Sequence, residues 1–256
     1  MTKIGLSELV VPFSIIVSTF GLLATVALAV YATPTAEAVT WRKPLIGSIF
    51  ALICFLGIVL AVSPRKCSET FGHKRRTEAA ASSPQTSNFP NTIKGHHYAC
   101  GKFSAHTMQV NGHVLCAACT GLLFGGLGAL FGTVLCFFAG LELEQIGFPA
   151  VLIGVAVMIL GFLQLKFGGF ARLILNVFFV LGAFLILAGL DGLIGSLFVD
   201  LFSIVLIVFW LFTRILLSQW DHWRICKTCL IPCEIRGKRK AGLISSAHSV
   251  EGTDYD

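Results

Sequence analysis

The chain has 256 residues, of which 55% are hydrophobic and 12% charged, with a formal net charge of +6 and a mean hydropathy of +0.84. So apolar a composition cannot furnish the wetted surface of a soluble domain, which places the chain in a membrane. The apolar stretches are continuous rather than alternating, which excludes a β-barrel and leaves helices, whose backbone amides pair within their own segment.

In chain order, the first apolar run extends from Leu9 to Tyr31 and the second from Pro44 to Val62. A third begins near Val114 and ends near Gly140, and a fourth covers Phe148 to Leu165. The fifth and sixth, Leu173 to Leu190 and Leu193 to Leu217, are split by Asp191 and Gly192. Each is long enough to cross a bilayer. The last three are joined by short loops and form an up-down-up unit; the fifth and sixth together are twice a bilayer long, so a hairpin is expected rather than one broken helix. The first run has small residues after it at Ala29, Ala32 and Ala36, as a secretory signal would, but exceeds a usual signal core and is taken as a retained span.

The expected fold is therefore an all-α integral membrane protein with about six transmembrane helices and a cytoplasmic Cys/His-rich loop and tail. Residues 1–63 hold two helices, 64–94 a linker, 95–120 a Cys/His segment, 114–217 four helices and 218–256 a basic tail. From Thr77 to Thr92 the chain is Ala, Ser, Thr, Pro, Gln and Asn with almost no large apolar side chains, too little to order a segment.

Orientation follows from Lys and Arg. Alternating spans put Lys3, Arg65, Lys66, Lys74, Arg75, Arg76, Lys94, Lys102, Lys166, Arg172, Arg214 and the basic tail on one side. The other side receives Arg42 and Lys43 with Glu37, Glu142, Glu144 and Asp191. The positive-inside rule makes the first side cytoplasmic, with both termini there and the chain in the cell membrane. Arg236, Lys238, Arg239 and Lys240 then lie beside anionic lipid. No fold or aromatic platform accompanies them, which argues against nucleic acid.

Six of the nine cysteines fall into two groups on that reducing side, which speaks for metal or redox chemistry over structural disulfides. Cys116 and Cys119 form a C-x-x-C turn, which lets two thiolates occupy adjacent corners of a tetrahedron. Cys100 is the third expected ligand and His106 the fourth, with His96, His97 and His113 in competition. The second group, His222, Cys226, Cys229 and Cys233, offers four donors within twelve residues. It could close its own zinc site, or Cys226 and Cys229 could join Cys116 and Cys119. Zinc is the expected cofactor and an iron–sulfur cluster the alternative. Cys54 and Cys136 lie inside apolar runs as small core residues.

The stretch from His97 through Gly121, ending in C-A-A-C-T-G at the head of a Gly-rich span, resembles an uncharacterised prokaryotic family of polytopic membrane proteins. Gly169, Arg172 and Asn176 are similar as well, and the resemblance covers about 80 residues. It implies no activity, and the C-terminal cysteines lie outside its pattern.

Inside the spans, Gly121, Gly125, Gly128 and Gly132 share one face of the third helix, a close-packing pattern for a neighbouring helix or for a second copy in a homo-oligomer. Asp200, Asn176 and Gln164 are polar within apolar runs, where such groups face a partner or a cavity. Asp200 is the candidate ion or proton site, with a structural hydrogen bond the more expected role. Two functions are open, the first favoured because a metal site requires Cys100 and His106 beside the pair whereas a redox pair does not. One is a multi-pass protein with structural or partner-docking zinc sites, including as part of a small transport unit. The other is a membrane thiol or metal redox protein using the C-x-x-C pair, with its reactive thiol at a helix start. The chain carries no Walker, dinucleotide, haem or serine-hydrolase motif.

Overall fold

The computed structural model describes residues 6–35, 40–62, 106–110, 113–141 and 144–228. The 64–94 linker, Cys67, Cys100, Cys229 and Cys233 lie outside the described residues. The chain divides into two compact units, Met1–Ser218 and Gln219–Asp256.

Among the described residues, six helices are long and apolar enough to cross a membrane. They are α1 (Leu6–Val30), α2 (Arg42–Val62), α3 (Ala117–Thr133), α4 (Gly147–Phe162), α5 (Gly169–Ile194) and α6 (Leu197–Thr228). A π-helical turn, Val134–Phe138, extends α3, and a 3-10 turn, Leu163–Lys166, extends α4. The sixth helix runs on past Ser218 into the second unit. Large apolar side chains such as Phe13, Phe20, Phe55, Phe131, Phe170 and Phe198 cover the outside of the bundle. An apolar surface on that scale would drive association in water and suits hydrocarbon.

The fifth and sixth runs form two helices, as a hairpin requires, but the break lies four residues beyond the expected one. Asp191 and Gly192 are still helical, and the chain turns at Gly195, which adopts φ 69° and donates its N–H to Asp191 O at 3.0 Å. A left-handed residue just past a helix favours glycine because it has no Cβ to clash, and the bond satisfies a terminal carbonyl. Asp191 is thus part of the last turn of α5 rather than of a loop.

The third run also begins differently. Residues Val114 to Cys116 belong to a strand, β2 (His113–Cys116), paired antiparallel with β1 (Thr107–Val110) in the register Thr107↔Cys116 to Val110↔His113. The helix starts only at Ala117.

The fifth helix is the centre of the bundle and the most buried of the six. It packs on α3 along the Gly121–Gly132 face: a Cβ at Gly121 would lie 2.5 Å from Leu173 O, and one at Gly132 2.6 Å from the Phe184 ring. This stripe is therefore covered within the chain. The α4–α5 contact brings backbone against backbone. A Cβ on Gly154 would sit 2.8 Å from Gly182 O, and one on Gly189 2.8 Å from Gly147 O. These glycines recur every seven residues on each helix, so two backbones touch along one seam, the arrangement by which helices gain dispersion contact where the hydrophobic effect is absent. On the other flank α2 lies on α3, with Gly126 against Ile58 and Gly47 against Phe137. Trp210 of α6, fully buried, donates its indole N–H to Ser18 O of α1 at 3.2 Å, and Ser18 donates in turn to Thr213 at 2.9 Å.

Between α2, α3, α5 and α6 lies a small cavity of about 50 Å³ lined by apolar groups including Phe50, Cys54, Leu122, Val180 and Ile207. It offers water no polar partner.

Candidate functional site

Charged and reactive side chains gather at the two ends of the bundle. At the end where α3 and α5 begin, β2 feeds directly into α3, so Cys116 closes the strand and serves as the residue before the first helical turn, with φ −75° and ψ 114°. Cys119 follows within that turn. The hairpin register, which pairs Thr107 with Cys116, brings His106 back to the same level. There Arg172, near the start of α5, donates from Nη1 to His106 Nδ1 at 2.8 Å. A guanidinium has no acceptor, so His106 accepts at Nδ1 and carries its proton on Nε2.

Cys116 is exposed and Cys119 half-buried, and neither forms a disulfide. The Cys116 sulfur makes no full capping hydrogen bond. Even so, its pKa is drawn from 9.0 down to about 6, first by the Cys119 thiol, then, against the opposing effect of burial, by the Cys119 and Ala118 amides and the Arg172 charge. Those are the dipoles and cation that a helix start presents to a thiolate.

Behind the cysteines the polar side chains are deeply buried. Asn176 donates to Arg172 O at 2.7 Å. Arg214 of α6 reaches Gln164 Oε1 at a long 3.5 Å and lies with Cζ 5.5 Å from the centre of the Phe179 ring.

At the other end, Arg42 opens α2, Asp191 closes α5 and Asp200 lies in the first turn of α6. Arg42 Nη1 is 2.7 Å from Asp191 Oδ1 and 2.5 Å from Asp200 Oδ2. All three side chains are buried, Asp200 completely. Asp200 Oδ1 has no hydrogen-bond partner, and Asp191 Oδ1, though at ion-pair distance from Arg42, is not aligned for a hydrogen bond. Thr35, in the segment before α2, ties this end together through its N–H and hydroxyl, both bonded to Ile194 O.

Of the expected metal ligands, Cys116, Cys119 and His106 come to one end of the bundle. Among the described residues no three His, Cys, Asp or Glu side chains are grouped as a metal requires, and the inner ring nitrogen of His106 is occupied by Arg172. His222 and Cys226 lie on the backbone of α6 within the second unit; Cys100, Cys229 and Cys233 lie outside the described residues. Sequence reasoning missed the hairpin, although Asn111-Gly112 between two short runs is its signal. It also took Arg42, Asp191, Arg172 and Arg214 as surface charges, whereas all four are buried; Arg214, set within an apolar run, could have been suspected.

No protein-family model matches the chain, and it has no match among curated proteins or solved structures.

Proposed function

We propose that this is a six-span membrane protein that exchanges disulfides through Cys116 and Cys119 at the cytoplasmic face of the cell membrane. The observation that carries the reading is the placement of an accessible Cys116 at the start of α3 with Cys119 one turn behind it, supported by a thiol pKa of about 6. At neutral pH Cys116 is then mostly thiolate, the form that attacks.

The Cys116 thiolate attacks one sulfur of a substrate disulfide, forming a mixed disulfide and releasing the first substrate thiolate, which takes a proton from water. Cys119 then gives up its proton and attacks Cys116 Sγ, releasing the second substrate thiol. Two electrons pass to the substrate, and Cys116 and Cys119 are left joined. A substrate dithiol reverses the same steps.

Orientation rests on the excess of Lys and Arg flanking the Cys116 end, and the Arg236 to Lys240 run is read as contact with anionic lipid. A second reading, structural zinc held by Cys116 and Cys119 with Cys100 and His106, draws on the hairpin that returns His106 to the head of α3. His222, Cys226, Cys229 and Cys233 would form the companion site.

The two are separated on protein purified without chelator. Exchange predicts a Cys119→Ser variant that accumulates a mixed disulfide at Cys116 with a model disulfide, and a wild type with little bound metal. Stoichiometric zinc lost on Cys116→Ser, with no trapped adduct, would replace exchange by the structural reading.

A further inference from the structure

The end opposite the dithiol carries charges that do not balance. Two carboxylates, Asp191 from α5 and Asp200 from α6, approach the same nitrogen of Arg42 from α2. Fully ionised, the three would hold a net charge of −1 among side chains with no more than 9% exposure, and an uncompensated buried charge is strongly unfavourable in a low-dielectric interior. Among the described residues, other groups nearby do not supply the missing cation. Lys43, next on α2, is half-buried and makes no ion pair with either acid among the described residues. The Cys136 thiol in the π-helical turn feels both Asp191 and Lys43 but brings no positive charge. Thr35, from the α1–α2 connection, spends both its donors on Ile194 O.

A second observation points to what fills the gap. Asp200 Oδ1 is fully buried beside this cluster without any donor, and a buried carboxylate oxygen normally has one. A proton on one of the two acids neutralises the cluster and creates the O–H donor that the carboxylate oxygens lack. A metal cation would instead be set against the guanidinium already there.

We infer that Asp191 and Asp200, gathered on one nitrogen of Arg42, form a proton-binding site that holds a single shared proton at neutral pH. Like charges so close cannot both stay ionised when only one cation faces them. The site is independent of the dithiol chemistry, being built from the other ends of the same helices.

The test is infrared difference spectroscopy of the full chain in lipid nanodiscs, reading the protonated-carboxyl C=O band at neutral pH and its shift in D₂O. The wild type should show the band of one protonated carboxyl. Asp191→Asn and Asp200→Asn should each abolish it, because the remaining acid then has Arg42 to itself and stays ionised. Either variant decides alone if the other does not assemble. Asp221→Asn, which removes the remaining buried carboxyl among the described residues, should leave the band in place. Arg42→Met, where it assembles, should double it. Absence of the band in the wild type, or its survival in both the Asp191 and Asp200 variants, overturns the proposal. So does a band that vanishes when sodium replaces potassium, which would assign the site to a metal cation.

Discussion

At one end of the bundle Arg42 meets two carboxylates on a single nitrogen, whereas at the other Arg214 is held by the amide oxygen of Gln164 at 3.5 Å and the face of Phe179. Both guanidiniums are buried to a similar degree. What differs is where the charge is spent. Arg42 is consumed by acids within contact distance, and its cluster has charge left over on the negative side. Arg214 has no carboxylate within ion-pair distance among the described residues, and beside it the second buried arginine of this end, Arg172, is the one whose charge helps to draw the Cys116 pKa down. The same residue type thus faces two acids at one end and, through Arg172, a thiol at the other, and the neighbours supplied by other helices decide which.

The contrast is sharpest in stability. Arg42→Met leaves two buried acids without their cation, so that the remaining carboxylate must take up a proton or stay unpaired, and should cost on the order of 3–5 kcal/mol, the usual result of removing one partner from a buried pair. Arg214→Met loses one long hydrogen bond and a ring contact, and should cost only about 1 kcal/mol. Thermal unfolding in one detergent, with both variants side by side, checks the ranking; equal losses would mean that the two arginines are held alike.

The two ends share a middle, which can be tested separately. Gly154→Ala puts a Cβ 2.8 Å from Gly182 O, a backbone atom that cannot turn aside, so the α4–α5 seam must open at a cost of about 1–3 kcal/mol. Gly57→Ala on α2 meets nothing within 4 Å and should gain roughly 0.5–1 kcal/mol from lower backbone entropy in the unfolded chain. If both substitutions behave alike, the seam is not what holds the two ends in register.

The smallest change in stability, within about 0.5 kcal/mol, is expected for Cys119→Ala at the accessible dithiol. Its effect is on reactivity. The Cys119 thiol is the largest influence lowering the Cys116 pKa to about 6, so its removal should move the midpoint of Cys116 alkylation upward towards 9.0. Below the midpoint the thiol is protonated and slow; above it the thiolate reacts. Alkylation rates against pH in wild type and variant read this directly, and coincident profiles would remove Cys119 from the account.

Six helices and their order follow from composition and run length alone, because in hydrocarbon each segment must pair its own amides, a demand local to the segment. The C-x-x-C spacing is local too, and it marked Cys116 and Cys119 first as metal ligands and second as a redox pair. The α3 glycine stripe was also legible, though its partner, α5, was not; the heptad glycines carried the same signal, Gly147, Gly154 and Gly161 on α4 and Gly182 and Gly189 on α5. Element ends were less legible. Asp191-Gly192 looks like a turn, but the chain turns at Gly195, where the left-handed residue and its bond to Asp191 O close α5. Tertiary structure alone decided the counterions. Arg42 and Asp200 stand 158 residues apart, and His106 and Arg172 66, so no window of sequence contains either pair. Charges that look like loop residues along the chain become buried partners only when α2, α5 and α6 converge, since the energy of a buried charge depends on what lies across the helix interface and not on its sequence neighbours.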